Sequence, residues 1–130
     1  MGSLGDPRAE FRAAGHTLYS LALVKGSEGN LSVWDGVRLV ITRAGCSLAK
    51  LEADDVLEGT PDAPPPGASS DLQIHLAMYG EQGPGAIVHA HPPGTVPESA
   101  APGEPHGRYA HAGSLDDAVA EVVREARARA

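Results

Sequence analysis

Ala86-Ile87-Val88-His89-Ala90-His91-Pro92 is the stretch on which the reading of this chain turns. Three apolar residues lead into two histidines one residue apart, and Pro92-Pro93 then removes two backbone donors and ends any ladder. The run from Ala86 to His91 reads as a buried strand. Side chains two residues apart on a strand share a face, and the rise places the two Cα atoms about 6.6 Å apart. Imidazoles at that spacing can converge on one ion, with Zn–N distances of about 2.0–2.1 Å. The bland alternative is one packed and one solvated histidine, which His-x-His alone does not disfavour. His106 and His111 follow closely, however, so four of the six histidines crowd into one region.

A catalytic zinc needs three protein ligands and an open position. His111, His106 and Asp71 are the candidates for the third, with His111 favoured because a short strand over Arg108 to Ala112 can return it beside His89. Asp71 falls in the first turn of a helix, where its ordinary task is to complement the helix dipole. Its chemical task would be that of general base beside a bound substrate.

Working outward, Ser69-Ser70-Asp71 precedes Leu72, His75, Leu76 and Tyr79 at helical spacing. Ser70 is the expected N-cap and Gly80 the expected stop. Upstream, Pro61 to Gly67 holds four prolines and forms a surface connection. Asn30-Leu31-Ser32-Val33-Trp34 alternates with period two, Asp35-Gly36 signals a hairpin turn, and Val37 to Thr42 returns as a second strand. Leu48 to Glu58 reads as a short helical or turn segment. The first helix opens at Asp6-Pro7, carries Phe11, Ala14, Leu18, Leu21 and Ala22 on one side, and should end near Lys25-Gly26. His16 within it reads as a structural or solvated residue. Ser114 caps a last helix, with Asp116 and Asp117 at its positive end and Leu115, Val119 and Val122 or Val123 inward.

The composition narrows the classes of function. At 130 residues the chain suits one compact domain, taken here as 1–130. Its 42% hydrophobic content includes only one Trp, three Tyr and one Phe, so the core must be aliphatic. A formal charge of −7 disfavours nucleic acid as a partner. No stretch is long and apolar enough to cross a membrane, and the first residues do not read as a signal peptide, so a cytoplasmic location is expected. Cys46, the single cysteine, excludes an internal disulfide and reads as a small buried hydrophobe.

Gly29-Asn30, Ala44-Gly45 and Ser69-Ser70 are small or turn-forming spots whose backbone N–H groups can cradle an anion. Each alone is ordinary turn chemistry. Taken in order, however, Gly29-Asn30-Leu31-Ser32-Val33, Leu39-Val40-Ile41-Thr42-Arg43-Ala44-Gly45, Ser69-Ser70-Asp71 with His75 and Tyr79, and Ala86 to Pro92 resemble the class II aldolase/adducin family. The resemblance runs over about residues 8–93 and more loosely over 107–125.

It implies an α/β fold in which a mainly antiparallel central sheet is flanked by helices. It implies a zinc-dependent lyase cleaving a sugar phosphate or related hydroxy-carbonyl compound, working as a homo-oligomer, a tetramer in the sugar-phosphate aldolases. His89 and His91 match two of the family's three zinc histidines, and Asn30, Gly45, Ser69 and Ser70 match positions that hold the substrate phosphate. The chain departs from the pattern in three places. Asp71 stands where the aldolases carry Glu, Ala44 stands where they carry a phosphate-contacting Thr, and the segment that supplies the third histidine has no match, which leaves His111 or His106 as a substitute. Two other readings stand beside the lyase: a non-catalytic binding or scaffold module on the same fold, and a metal-dependent dehydratase or epimerase.

Overall fold

The computed structural model describes residues 6–92 and 107–129. Five strands form one sheet in the order β3-β2-β1-β4-β5, with β1 Asn30–Trp34, β2 Leu39–Thr42, β3 Val56–Gly59, β4 Gly85–Ala90 and β5 Arg108–Ala112. Every pairing is antiparallel, as expected. Helices α1 (Pro7–Ser20), α2 (Leu72–Gln82) and α3 (Leu115–Arg129) flank it.

Strand periodicity divides the sheet's residues between two faces. Leu31, Val40, Ala86, Val88, Ala90 and Ala110 join Phe11, Ala14 and Leu18 of α1 and Leu115, Ala118 and Val122 of α3 in the main core. On the other face Leu39 and Ile87 pack with Tyr79 of α2. The second face is the polar one, because Asn30, Ser32, His75 and His89 are buried there. Gly15 lets α1 approach the turn at Leu48–Lys50: a Cβ on it would lie 2.2 Å from the Leu48 carbonyl oxygen.

Several boundaries differ from expectation. The helix α1 stops at Ser20, short of Lys25-Gly26. Leu23 N–H donates to Leu18 O and Ala22 N–H to Tyr19 O, at 2.9 and 3.0 Å. This is a Schellman closure, with buried Leu18 and Leu23 as its apolar pair. Its left-handed position is held by Ala22, with φ 59°. An alanine pays a steric penalty there that glycine does not. Ala22→Gly is therefore expected to stabilise the protein by about 1 kcal/mol, after allowing for the greater freedom glycine gives the unfolded chain. A rise of a few degrees in Tm would verify this, and a fall would refute it.

The hairpin is present, but its return strand starts at Leu39, because Asp35 Oδ1 accepts from both Val37 and Arg38 N–H and holds those residues in the turn. The segment read as short helical or turn structure from Leu48 to Glu58 holds two single 3-10 turns, but its end, Val56–Gly59, is the edge strand β3. The helix α2 does not stop at Gly80 but continues to Gln82, where Gly83 N–H closes on Tyr79 O at 2.8 Å. Its N-cap is Asp71, not Ser70, and Ser69 Oγ accepts the Asp71 N–H. Ser114 does cap α3, through Asp117 N–H.

Candidate active site

The end of β4 places His89 on the sheet's polar face, fully buried. His91 lies just beyond the strand, its N–H donating to Leu23 O at 2.7 Å. The two rings lie on one side with centroids 4.8 Å apart. They also share a boundary with Gly107: a Cβ there would sit 3.3 Å from His89 Nε2 and 3.2 Å from His91 Cδ2. Gly107 has φ 71° and would meet the Ala90 carbonyl at 2.6 Å, so no larger residue fits.

Each ring has a carboxylate at its Nδ1. Asp71 Oδ2 lies 2.7 Å from His89 Nδ1, with both side chains buried. Glu28 Oε2 lies 3.5 Å from His91 Nδ1, and Glu28 Oε1 accepts Lys25 N–H at 3.1 Å. Asp71 Oδ2 also accepts from Asn30 Nδ2 at 2.8 Å. Burial pushes the Asp71 carboxyl up, but the hydrogen bonds from His89 and Asn30 outweigh it and hold the group well below the usual carboxylate range. A carboxylate held so firmly ionised is poorly matched to proton transfer near neutral pH.

Beneath this pair lies a buried polar row. His75 Nε2 contacts Asn30 Oδ1 at 2.5 Å, Ser32 Oγ lies 2.6 Å from His75 Nδ1, and Ser32 Oγ lies 2.7 Å from Tyr79 Oη. Burial pushes His75 down to about 3 and raises Tyr79 above its ordinary value.

The anticipated site residues separate into three groups. Asn30, Asp71, His89 and His91 come together. Gly45, Ser69 and Ser70 form a second cluster, because Arg43 bridges to Ala68, Ala44 N–H donates to Gly67 O and Ser69 N–H donates to Thr42 O. Gly45 and Ser70 are exposed there, while Asn30 is buried in the first group with both amide atoms engaged inward.

The structure does not bring His111 to the histidine pair. In the β4–β5 ladder it stands opposite Ile87, while Tyr109 stands opposite His89. His111 Nε2 bonds the Gly83 carbonyl at 2.9 Å and its ring meets Tyr79 edge-on. His106 lies outside the described residues. Among the described residues no three His, Cys, Asp or Glu side chains are grouped to hold a metal.

Two neighbours went unread in the sequence. Tyr109 stacks on His89 at 4.0 Å with the rings nearly parallel; alternation along β5 would have supplied it, had the register been known. Glu28 gave no sequence signal. Elsewhere, His16 lies on the exposed side of α1 near Ser20 Oγ, and Cys46 is buried with its thiol pushed up by that burial.

With the sheet, the histidine pair and the loop cluster in place, the chain's class is settled by a match over residues 9–126 to the class II aldolase and adducin N-terminal domain: this protein belongs to that family. It is 35% identical over 94 residues to a probable bifunctional methylthioribose-1-phosphate isomerase/methylthioribulose-1-phosphate dehydratase of Nocardia farcinica, a match covering 68% of this chain and 17% of that one. It is 38% identical over 86 residues to an L-fuculose phosphate aldolase of Methanococcus maripaludis, covering 58% of this chain and 44% of that one. The solved L-fuculose-1-phosphate aldolase of Thermus thermophilus superposes with TM-score 0.60 at 38% identity, over 66% of this chain and 45% of that one. The chain thus spans less than half the length of these relatives.

Proposed function

We propose that this protein is a metal-dependent lyase that cleaves a sugar phosphate or a related hydroxy-carbonyl compound, with His89 and His91 holding a divalent ion, zinc, and Gly45, Ser69 and Ser70 receiving the phosphate. The observation that carries this reading is the pair of neighbouring imidazoles, each with a carboxylate at Nδ1. Metal-bound histidines commonly direct their second ring nitrogen to such a partner, and imidazole suits zinc. The donor set fits the ion in part: His89 and His91 stand together, and among the described residues no third His, Cys, Asp or Glu joins them. When bound, the ion would supply polarisation of the substrate carbonyl.

The chain's own residues have separable tasks. Asp71 and Glu28 orient the two rings. Tyr109 walls one side of His89 against water. The loop over Arg43 to Gly45 and the turn before α2 receive the phosphate, with Ala44 offering no hydroxyl to it. The protein acts on a small molecule as a homo-oligomer, a tetramer. Among the described residues no helix is long and apolar enough to cross a membrane.

A second reading on the same scaffold is dehydration, because the Nocardia relative is named for a dehydratase activity.

The test is metal analysis of purified protein with cleavage and dehydration assays on a panel of phosphorylated ketoses. Bound zinc near one per chain is expected, together with an activity that drops at least about 100-fold in His89→Ala. Zinc-free protein whose activity is indifferent to that substitution would leave only a non-catalytic binding module.

A further inference from the structure

Four buried polar side chains beneath the histidine pair have no task in the reading above. Asn30 and Ser32 are two apart on β1, and His75 and Tyr79 are four apart on α2, so each pair shares one face of its element. Their facing produces the row Tyr79, Ser32, His75, Asn30, Asp71.

The direction of every link follows from donor and acceptor chemistry. An ionised Asp71 only accepts, so Asn30 Nδ2 and His89 Nδ1 both donate to its Oδ2. The 3.2 Å approach of Asn30 Nδ2 to His89 Nδ1 is then two donors meeting at one oxygen. The opposite amide orientation would place the Asn30 carbonyl oxygen against the carboxylate. With Asn30 Oδ1 facing His75, the proton of His75 must sit on Nε2. Its Nδ1 is then an acceptor for the Ser32 hydroxyl, whose oxygen accepts in turn from Tyr79. All the links point one way, toward Asp71, and aligned links of this kind reinforce one another.

We propose that this row is a positioning array in which His75, fixed as its Nε2–H tautomer, sets the amide of Asn30. Asn30 and His89 meet on the same Asp71 oxygen, so the array holds His89 with its proton on Nδ1 and its Nε2 turned to the metal. The role of that Nε2 rests on the proposed metal site; the tautomer pattern does not. Without His75, the Asn30 oxygen loses its donor and only the Asp71 contact still opposes rotation of the amide, so the hold on the shared oxygen, and with it the orientation of the His89 ring, loosens. His75 is thus a positioning residue that touches neither substrate nor metal.

The experiment is nitrogen-15 NMR of the histidine rings in metal-free protein, paired with zinc affinity measured by competition with a chromophoric chelator. The wild type is expected to show His75 protonated on Nε2 alone and His89 protonated on Nδ1. A His75 proton on Nδ1, or a His89 proton on Nε2 alone, overturns the proposal whatever the zinc result.

In His75→Phe the His89 ring should exchange between tautomers and zinc affinity should fall about 10- to 100-fold. His75→Gln, which keeps a donor toward Asn30 and an acceptor toward Ser32, should stay within several-fold of wild type. Equal losses in both variants would mean that His75 only fills space, and the proposal fails. If His75→Phe does not fold, the wild-type spectrum and the His75→Gln affinity decide. If the tautomers are as described but the wild type binds no zinc, the metal reading falls and the hydrogen-bond array stands.

Discussion

Asp71→Ala is expected to lower the unfolding free energy by about 4 kcal/mol. The carboxylate is almost wholly buried, and its Oδ2 is the shared acceptor for Asn30 Nδ2 and His89 Nδ1. Truncation leaves two buried donors facing a void. Each unsatisfied donor costs about 1–3 kcal/mol, and removing one member of a buried pair costs about 3–5. In a domain of this size that corresponds to a Tm lower by about 10–15 °C. Asp71→Asn should lose roughly half as much, because its one oxygen can still accept from both donors, but as a neutral and therefore weaker acceptor than the carboxylate. Urea titration of the three proteins measures this. A loss below about 1 kcal/mol in Asp71→Ala would mean that the Asp71–His89 contact is not formed in solution.

Acidification should weaken the fold well before the carboxylates titrate, and His75 should be the cause. Burial pushes its pKa down to about 3 in the folded protein, against about 6.5 in the unfolded chain. Between those values the unfolded chain binds a proton that the folded one refuses, so stability falls as the pH drops below about 6.5. At pH 4.5 the gap is roughly two units, or about 3 kcal/mol. Asp71, whose pKa is also depressed, contributes stability that is present above about pH 4 and is lost only below it. The interval from 6.5 to 4.5 therefore separates His75 from Asp71, and comparison with a His75 variant removes what the other histidines contribute. His75→Gln, which cannot titrate, should be the less stable protein at pH 7 by about 1–2 kcal/mol and should show a flatter profile through that interval. Parallel curves for the two proteins would mean that His75 is accessible to protons in the folded state.

Local chemistry made much of this architecture legible. Asp35-Gly36 announced the hairpin, Ser114 announced α3, and the period of Leu72, His75, Leu76 and Tyr79 announced α2. The expectations failed where the deciding partner is distant in sequence. Val56–Gly59 is a strand because β2 offers it an edge, and nothing in Val-Leu-Glu-Gly requires one. The helix α1 ends where alanine accepts a conformation usually left to glycine, so its apolar period ran on past the true stop.

The candidate site divides in the same way. That His89 and His91 share a side follows from strand geometry alone. That Asp71 turns onto His89, that Asn30 turns inward, and that Tyr109 and not His111 lies opposite His89 all depend on register and on the seating of α2 over the sheet. No spacing along the chain encodes those.

The hydrogen bond from His91 N–H to the carbonyl of Leu23 ties the second histidine to the exit of the N-terminal helix. Leu23 reaches that place only because the helix unwinds at Ala22 and turns its next carbonyl outward. One further turn of helix would carry the carbonyl about 5 Å along the axis and leave the His91 backbone untethered. Termination of the first helix and registration of a proposed ligand are thus a single conformational event, and a change as remote as the residue at position 22 has a direct mechanical route to the chemistry at position 91.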